Sequence, residues 1–277
     1  MLVKMPNVDG RGSSEDLDFS AARGTIVYEV LAAGGLAAYE PDTLALAAAL
    51  IIFFDVKRFS DVGANIGLYS LVLSRLAQGR LQTKAFEPLP SLVRVLRLLT
   101  ETNKLAISIV EAAVGDQAGE AVLHVSARSD ASNSLNPTFR LAKAQIKVPL
   151  ITLDADAIET DYFPQLIKID TESTEPEVLR GAAHVIREHR PWIICEVLKG
   201  RTEEHLQTII DEHQYTCYHV SGSSNLRTAE QIEGDETHQH RDWLFGPLPL
   251  PKGFNLFYRD FLTAFRKSGP KSVWSEH

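Results

Sequence analysis

Four positions in the stretch Asp61-Val-Gly63-Ala-Asn65-Ile-Gly67 can bring backbone N–H groups and a carboxylate against one small ligand. About twenty residues later, Ala85-Phe-Glu87-Pro88 supplies a second, lone carboxylate. Each segment follows an apolar run that reads as a buried strand, and the first continues into a helix. A strand, a glycine turn, a helix and a second strand ending on an acid is how open α/β sheets hold a nucleoside. The glycines let the backbone approach the ligand, and the acid accepts hydrogen bonds from two ribose hydroxyls.

The spacing narrows the ligand. A dinucleotide fingerprint needs G-x-G-x-x-G so that helix N-terminal N–H groups cradle a pyrophosphate. Here Gly63 and Gly67 enclose Ala64-Asn65-Ile66, with no glycine at position 65. Asp61 puts a negative charge where a pyrophosphate would approach; that charge suits an ammonium. S-adenosylmethionine carries an ammonium, a sulfonium and a ribose diol and no phosphate, so the residues point to it rather than to NAD or ATP. Asp61, Gly63, Asn65, Gly67 and Glu87 are the candidate cofactor contacts.

Further acids fall at strand ends. Lys168-Ile-Asp170-Thr-Glu172 closes an apolar strand, and on an extended chain Asp170 and Glu172 project to the same side. Paired carboxylates serve as a general base or hold a divalent cation; Glu172 alternatively caps a helix starting near Glu175. Glu196 ends Ile193-Ile-Cys-Glu196 at the same edge and needs a partner or a role if buried. Asp116, in the Val114-Gly115-Asp116 turn, is either an acceptor for the adenine amine or part of a plain turn. His238-Gln-His240 lies in a polar loop with no Cys or acid at ligand spacing, and no metal ligand is assigned. No P-loop and no G-x-S-x-G elbow is present.

These side chains need a scaffold. With 44% hydrophobic and 23% charged residues, the 277-residue chain has the composition of a folded soluble protein. Its net charge of −8 argues against general nucleic-acid binding. Two cysteines make no disulfide framework and fit buried thiols in a reducing cytoplasm. No secretory signal is apparent, and the longest apolar run, eleven residues from Leu44 to Phe54, is too short to cross a bilayer.

Patterning predicts a flexible N-terminal arm over residues 1–24 and a helical cap over 25–55. An α/β domain follows over 56–250, with a C-terminal tail over 251–277 holding a short amphipathic helix at most. Strands are expected at Arg58–Val62, Thr83–Glu87, Ile107–Ala112, Leu166–Asp170 and Trp192–Val197. Helices are expected at Gly67–Leu76, Pro90–Thr102 and Glu175–His189. That alternation predicts a mostly parallel sheet covered on both faces. Tyr215–Val220 and the apolar Asp242–Gly246 fit an antiparallel edge. Between Val114 and Leu153 two β-like segments form an inserted hairpin, residues 117–152, around the polar loop 127–137. Ser132, Asn133 and Ser134 at its tip are candidate substrate contacts, together with Glu196; an ordinary surface loop is the alternative.

Taken together, these blocks resemble the FkbM-type S-adenosylmethionine-dependent methyltransferases. The likeness runs in family order through Asp61-Val-Gly-Ala-Asn-Ile-Gly67, Phe86-Glu-Pro88, Leu150-Ile-Thr-Leu-Asp154 and Ile167-Lys-Ile-Asp-Thr-Glu172, continuing through Glu175-Pro-Glu-Val-Leu-Arg-Gly181. The Ala113–Asp116 turn and Trp243-Leu-Phe245 add to it, and it covers roughly residues 39–246. The resemblance implies a Rossmann-like methyltransferase fold, often acting on hydroxyl groups of natural products or sugars. It maps the glycine turn onto Asp61, Gly63 and Gly67, the ribose acid onto Glu87, and the acidic strand end onto Asp170 and Glu172. One departure stands out: the family reads Asp-Val-Glu-Gly-Ala-Glu where this chain reads Asp170-Thr-Glu-Ser-Thr-Glu175, so a different backbone turn is expected at Ser173.

The expected reaction is methyl transfer to a small-molecule hydroxyl, with Asp170 or Glu172 as the base, directly or through a bound cation. The alternatives are an N-methyltransferase or protein-directed enzyme using the same pocket, or a non-catalytic relative. A nicotinamide oxidoreductase ranks last because the third glycine is missing.

Overall fold

A computed structural model describes residues 1–8, 15–127 and 129–269. At the N-terminus β1 (Leu2–Val3) pairs antiparallel with β2 (Leu17–Asp18), and a 3-10 turn leads into α1 (Ile26–Gly34). After α2 (Pro41–Phe53) come β3 (Arg58–Val62), α3 (Leu68–Leu76), β4 (Gln82–Phe86), α4 (Pro90–Thr102) and β5 (Ile107–Val110). β6 (Ala113–Val114), β7 (Gly119–Ser126) and β8 (Ala142–Ile151) then build a separate three-stranded sheet. The chain re-enters the main sheet through α5 (Leu153–Thr160), β9 (Leu166–Ile169), α6 (Glu175–Arg180), α7 (Ala183–His189) and β10 (Trp192–Glu196). It ends with α8 (Glu203–Glu212), β11 (Thr216–His219), β12 (Thr228–Ala229), β13 (Asp242–Gly246) and α9 (Phe254–Arg266).

The main sheet has the order β12-β11-β13-β10-β9-β3-β4-β5. Its five strands from β10 to β5 are parallel, while β13 runs antiparallel to both β10 and β11. The expected Rossmann-like sheet, mostly parallel with an antiparallel edge, is the one observed. Chain order reverses between β3 and β9, and the crevice at such a switch point is where open sheets bind ligands.

Local chemistry explains the elements. β3 and β9 are buried along nearly their whole lengths, as strands covered on both faces must be. α2 and α4 start on Pro41 and Pro90, whose fixed φ and missing N–H suit the first helical turn. Leu92, Leu96 and Leu99 give α4 its buried stripe at helical spacing. The helix expected over Glu175–His189 is two helices, broken at Gly181-Ala182. The Gly181 carbonyl accepts from the Asp154 N–H at 2.9 Å. The Asp154 carboxylate then caps α7, accepting from the His184 and Val185 N–H groups at 2.8 and 2.9 Å.

The mobile arm expected over residues 1–24 is, in its described parts, fixed to the fold. Leu17 and Phe19 are fully buried, and Val3, Met5 and Val8 join the same core. The Asn103 side chain clamps Asp18 by donating to its carbonyl at 2.9 Å and accepting from its N–H at 2.7 Å. Scattered apolar positions among Gly, Ser and Asp hid this packing from a compositional reading; residues 9–14 of the expected arm lie outside the described residues.

The tail likewise holds more than expected. α9 buries Phe254, Tyr258, Phe261, Leu262 and Phe265 against the core, and Arg266 reaches Asp42 of α2 at 2.7 Å. Residues 270–277 lie outside the described residues. Among the described residues no single helix is long and apolar enough to cross a membrane.

Candidate active site

A cleft of about 860 Å³, counting its open mouth, lies at the carboxyl ends of β3, β4 and β9. Asp61, Gly63, Asn65, Glu87, Asp170 and Glu172 all line it. Gly63 has φ +78°, and a Cβ there would sit 1.8 Å from the Asp170 carbonyl oxygen, so the backbones of two ligand-side loops touch at this residue. Gly67, at φ +81°, opens α3, and a Cβ there would meet Leu96 Cδ1 at 2.1 Å. Between them Asn65 takes the left-handed conformation at φ +53°, which Asn tolerates better than most residues.

Glu87 is tied to this turn. One carboxylate oxygen accepts from the Asn65 N–H at 2.8 Å, the other from the Leu89 N–H at 2.8 Å. Burial raises its pKa to about 7 against the pull of those two bonds. Each oxygen keeps a lone pair for a further donor.

Asp61, which the sequence pairs with an ammonium, also organises the fold. One of its oxygens accepts from the Ser70 N–H at 3.1 Å and from the Ser70 hydroxyl at 2.7 Å, holding the first turn of α3. Burial raises its pKa, and Lys168 opposes the shift. The buried Lys168 ammonium lies 3.0 Å from Asp170 and 4.5 Å over the Tyr69 ring. Burial alone would lower its pKa, but Asp170, Glu40, Asp242 and Asp61 outweigh that effect. For Asp170 the balance is reversed: burial would raise its pKa, yet Lys168 and Arg241 hold it below the usual carboxylate range.

Asp170 and Glu172 reach the cleft by a different route from strand alternation. β9 ends at Ile169, and the backbone then turns through left-handed conformations at Glu172 (φ +56°) and Ser173 (φ +90°). Ser173, where a changed turn was expected, thus adopts a conformation that glycine favours. Glu175 holds the turn from inside: one of its oxygens accepts from the Thr171 N–H at 2.9 Å, the Thr171 hydroxyl at 3.0 Å and the Ser173 N–H at 3.1 Å. The helix-capping task considered for Glu172 falls instead to a turn anchored by Glu175. Burial, with repulsion from Asp170, pushes Glu172 up to about 8, and its Oε2 is buried without a hydrogen-bond partner.

Other expected residues are placed differently. Glu196 does not line the cleft; it is buried behind Asp170, and its Oε1 lies 2.5 Å from the Arg241 guanidinium. Burial, Asp170 and Glu172 raise its pKa well above the carboxylate range. Asp116 faces Arg180 at 3.7 Å, with a half-exposed side chain, and is not part of the cleft lining, which that turn reaches only through Ala113 and Val114.

The inserted hairpin does reach the cleft, through Asp130, Ala131, Asn133, Ser134 and Leu135, but Ser132 is not part of the lining. Its polar groups mostly hold the loop. Asn133 accepts from the Ser126 N–H at 3.0 Å and donates to the Asp130 carbonyl at 2.8 Å, and the Ser134 hydroxyl donates to the Glu172 carbonyl at 2.6 Å. The Asn65 amide donates to the Asp130 carbonyl at 3.1 Å, and the Ile26 N–H donates to the Asp130 carboxylate at 3.2 Å. Arg128 lies outside the described residues.

Sequence reasoning missed Tyr39, Tyr69, Asp130 and Lys168 as lining residues, Arg241 as the partner of Glu196 and Glu175 as the anchor of the acid turn. Lys168 had a weak signal, because it stands inside a recognised block, and Tyr69 lies in the helix that follows the glycine turn. Arg241 follows a polar loop, and nothing in the pattern around it announces a buried partner.

The sequence profile of the methyltransferase FkbM domain matches residues 61–244. No curated protein matches the chain. Among solved structures, a methyltransferase FkbM from Methylobacillus flagellatus KT is similar, with TM-score 0.46 and 18% identity over 76% of this chain and 56% of that one. The chain thus spans little more than half of that relative's length. An O-methyltransferase from Bacillus cereus, in complex with SAH, gives TM-score 0.40 and 11% identity over 74% of this chain and 79% of that one. A putative caffeoyl-CoA O-methyltransferase from Staphylococcus aureus gives 0.44 and 11% over 73% and 81%. These identities are too low to carry an activity across to this chain. The FkbM profile, by contrast, covers more than half of the sequence, and the chain belongs to the methyltransferase FkbM domain family, with an S-adenosylmethionine-dependent methyltransferase fold.

Proposed function

We propose that this protein transfers the methyl group of S-adenosylmethionine to a hydroxyl group of a small molecule, a natural product or a sugar. The observation that carries the reading is that Glu87 and the Asp170–Glu172 turn open on one cleft, with the Gly63 turn between them. The residues present fit the cofactor. Glu87 keeps acceptor capacity for the ribose diol, Asp61 supplies a buried negative charge for the ammonium, and Gly63 lets the glycine turn lie against the Asp170 carbonyl.

Bound S-adenosylmethionine supplies a methyl group already activated by its sulfonium. What the chain must add is alignment, worth about 7–11 kcal/mol in favourable model systems, and a proton acceptor. Both carboxylates line the cleft, but Asp170 is paired with Lys168 whereas the Glu172 Oε2 has no partner, so Glu172 is the better acceptor. With S-adenosylmethionine bound, Glu172 would take the acceptor's O–H proton as the methyl group is transferred. Asp170, held ionised by Lys168, orients the hydroxyl. The two buried free thiols, Cys195 and Cys217, fit work in a reducing cytoplasm.

Calorimetry with S-adenosylmethionine tests the cofactor: micromolar binding to the wild type and its loss in Glu87→Ala are expected. Unchanged affinity in that variant overturns the assignment. Release of S-adenosylhomocysteine with hydroxyl-bearing acceptors tests the reaction, and full activity of both Asp170→Asn and Glu172→Gln would overturn the hydroxyl reading.

A further inference from the structure

The acids at the ends of β9 and β10 are closer together than proton transfer requires. Asp170, Glu172 and Glu196 each offer one carboxylate oxygen, and the three oxygens lie within 4.8 Å of one another. Two oxygens on opposite sides of a divalent cation, each bonded at about 2.0–2.6 Å, stand about 4–5 Å apart, so one ion can touch all three.

Glu172 and Glu196 are 7% and 2% exposed, and the Oε2 atom of each is buried with no hydrogen-bond partner. Orphaned buried carboxylate oxygens are costly, and a native structure normally satisfies them. The charges point the same way. Lys168 faces Asp170 and Arg241 faces Glu196, but Glu172 makes no ion pair among the described residues, and the buried Glu175 adds a further acid beside it. Even counting Arg140, whose charge also acts on Glu172, the acids around the trio outnumber the cations, which favours a further positive charge there.

We propose that Asp170, Glu172 and Glu196 form a binding site for one divalent, oxygen-preferring cation of the magnesium or manganese class. An all-carboxylate donor set selects such hard ions over zinc or copper, which favour nitrogen and sulfur. Asp170 and Glu172 line the cleft, so the ion's remaining positions face the acceptor side, where a substrate hydroxyl can join the coordination shell and become more acidic. Glu196, braced by Arg241, is the rear ligand, which explains an acid buried at a strand end without touching the cleft. Use of the ion in catalysis rests on the hydroxyl-transfer reading; its binding does not.

The test uses the full-length protein stripped with EDTA and titrated with Mn²⁺, following free Mn²⁺ by electron paramagnetic resonance and heat by calorimetry. One saturable site is expected, competed by Mg²⁺ and weakened about tenfold or more in both Glu172→Gln and Glu196→Gln. Because Glu196→Gln also removes the Arg241 partner, its thermal melt is recorded, and Glu172→Gln, which breaks no ion pair, decides the matter if the first variant misfolds. Absence of saturable Mn²⁺ binding, or undiminished binding in Glu172→Gln, overturns the proposal and leaves shared protons as the way the trio is neutralised. S-adenosylmethionine titrated into the stripped protein separates the two readings, since intact cofactor binding there upholds the methyltransferase assignment whatever the metal result.

Discussion

The Ser134 hydroxyl donates to the Glu172 carbonyl at 2.6 Å, so the tip of the inserted hairpin is bonded to the backbone of the acid turn. The same loop receives the Asn65 amide on the Asp130 carbonyl and the Ile26 N–H on the Asp130 carboxylate. Cofactor turn, N-terminal cap and acid turn therefore meet at residues 130–134. Ser134 thereby ties the hairpin to the backbone of the turn that carries Glu172.

Ser134→Ala should leave the Glu172 carbonyl short of its donor, at a cost of about 1–2 kcal/mol. The expected signature is a fall of about tenfold in kcat/KM for the acceptor with little change in S-adenosylmethionine affinity. Ser134→Thr, which keeps the hydroxyl, should recover part of the loss. Equal losses in cofactor affinity and acceptor turnover would count against this link.

Cofactor affinity should depend on pH through Glu87. Its pKa in the free protein is raised to about 7, and the ribose hydroxyls need the ionised form as acceptor. Below that value a proton competes with the cofactor. Affinity should thus be full above pH 8 and fall by up to tenfold per unit below pH 7, about 1.4 kcal/mol per unit. Calorimetry between pH 6 and 8 reads this slope, and Glu87→Gln should bind more weakly and flatten it.

Much of this was legible in the sequence because it is local. The strand–turn–helix around Gly63, the acid at Glu87 and the β9–acid segment each declare themselves within a dozen residues, since glycine, strand period and strand-end acids have local causes. What was lost is non-local. Arg241 meets Glu196 only because β13 inserts beside β10, and Asp116 points away because its turn faces α6. Ser173 read as a changed turn, yet Glu175 enforces the left-handed backbone from two residues further on.

The N-terminal segment should be a stabilising element rather than a dispensable arm. Phe19 is fully buried beside Leu17 in the main core. Phe19→Ala should cost about 3–5 kcal/mol by loss of burial and the cavity it leaves. Urea unfolding measures this, and a midpoint unchanged from wild type would show the segment to be detached in solution.

Ser173→Gly should raise stability. At φ +90° a side chain is strained by about 1–3 kcal/mol, and the buried Ser173 hydroxyl has no partner. Glycine removes both penalties and returns only about 0.4–1 kcal/mol of unfolded-state entropy. The net gain is about 1 kcal/mol or more, a rise of about 2 °C or more in Tm. Ser173→Ala removes the orphaned hydroxyl but keeps the strain, so it should fall short of the glycine variant in the same melt. S-adenosylmethionine affinity should match wild type in both, because Glu175 still fixes the Thr171 N–H and the turn keeps its path. If alanine stabilises as much as glycine, the orphaned hydroxyl and not the backbone is the source of the penalty at this position.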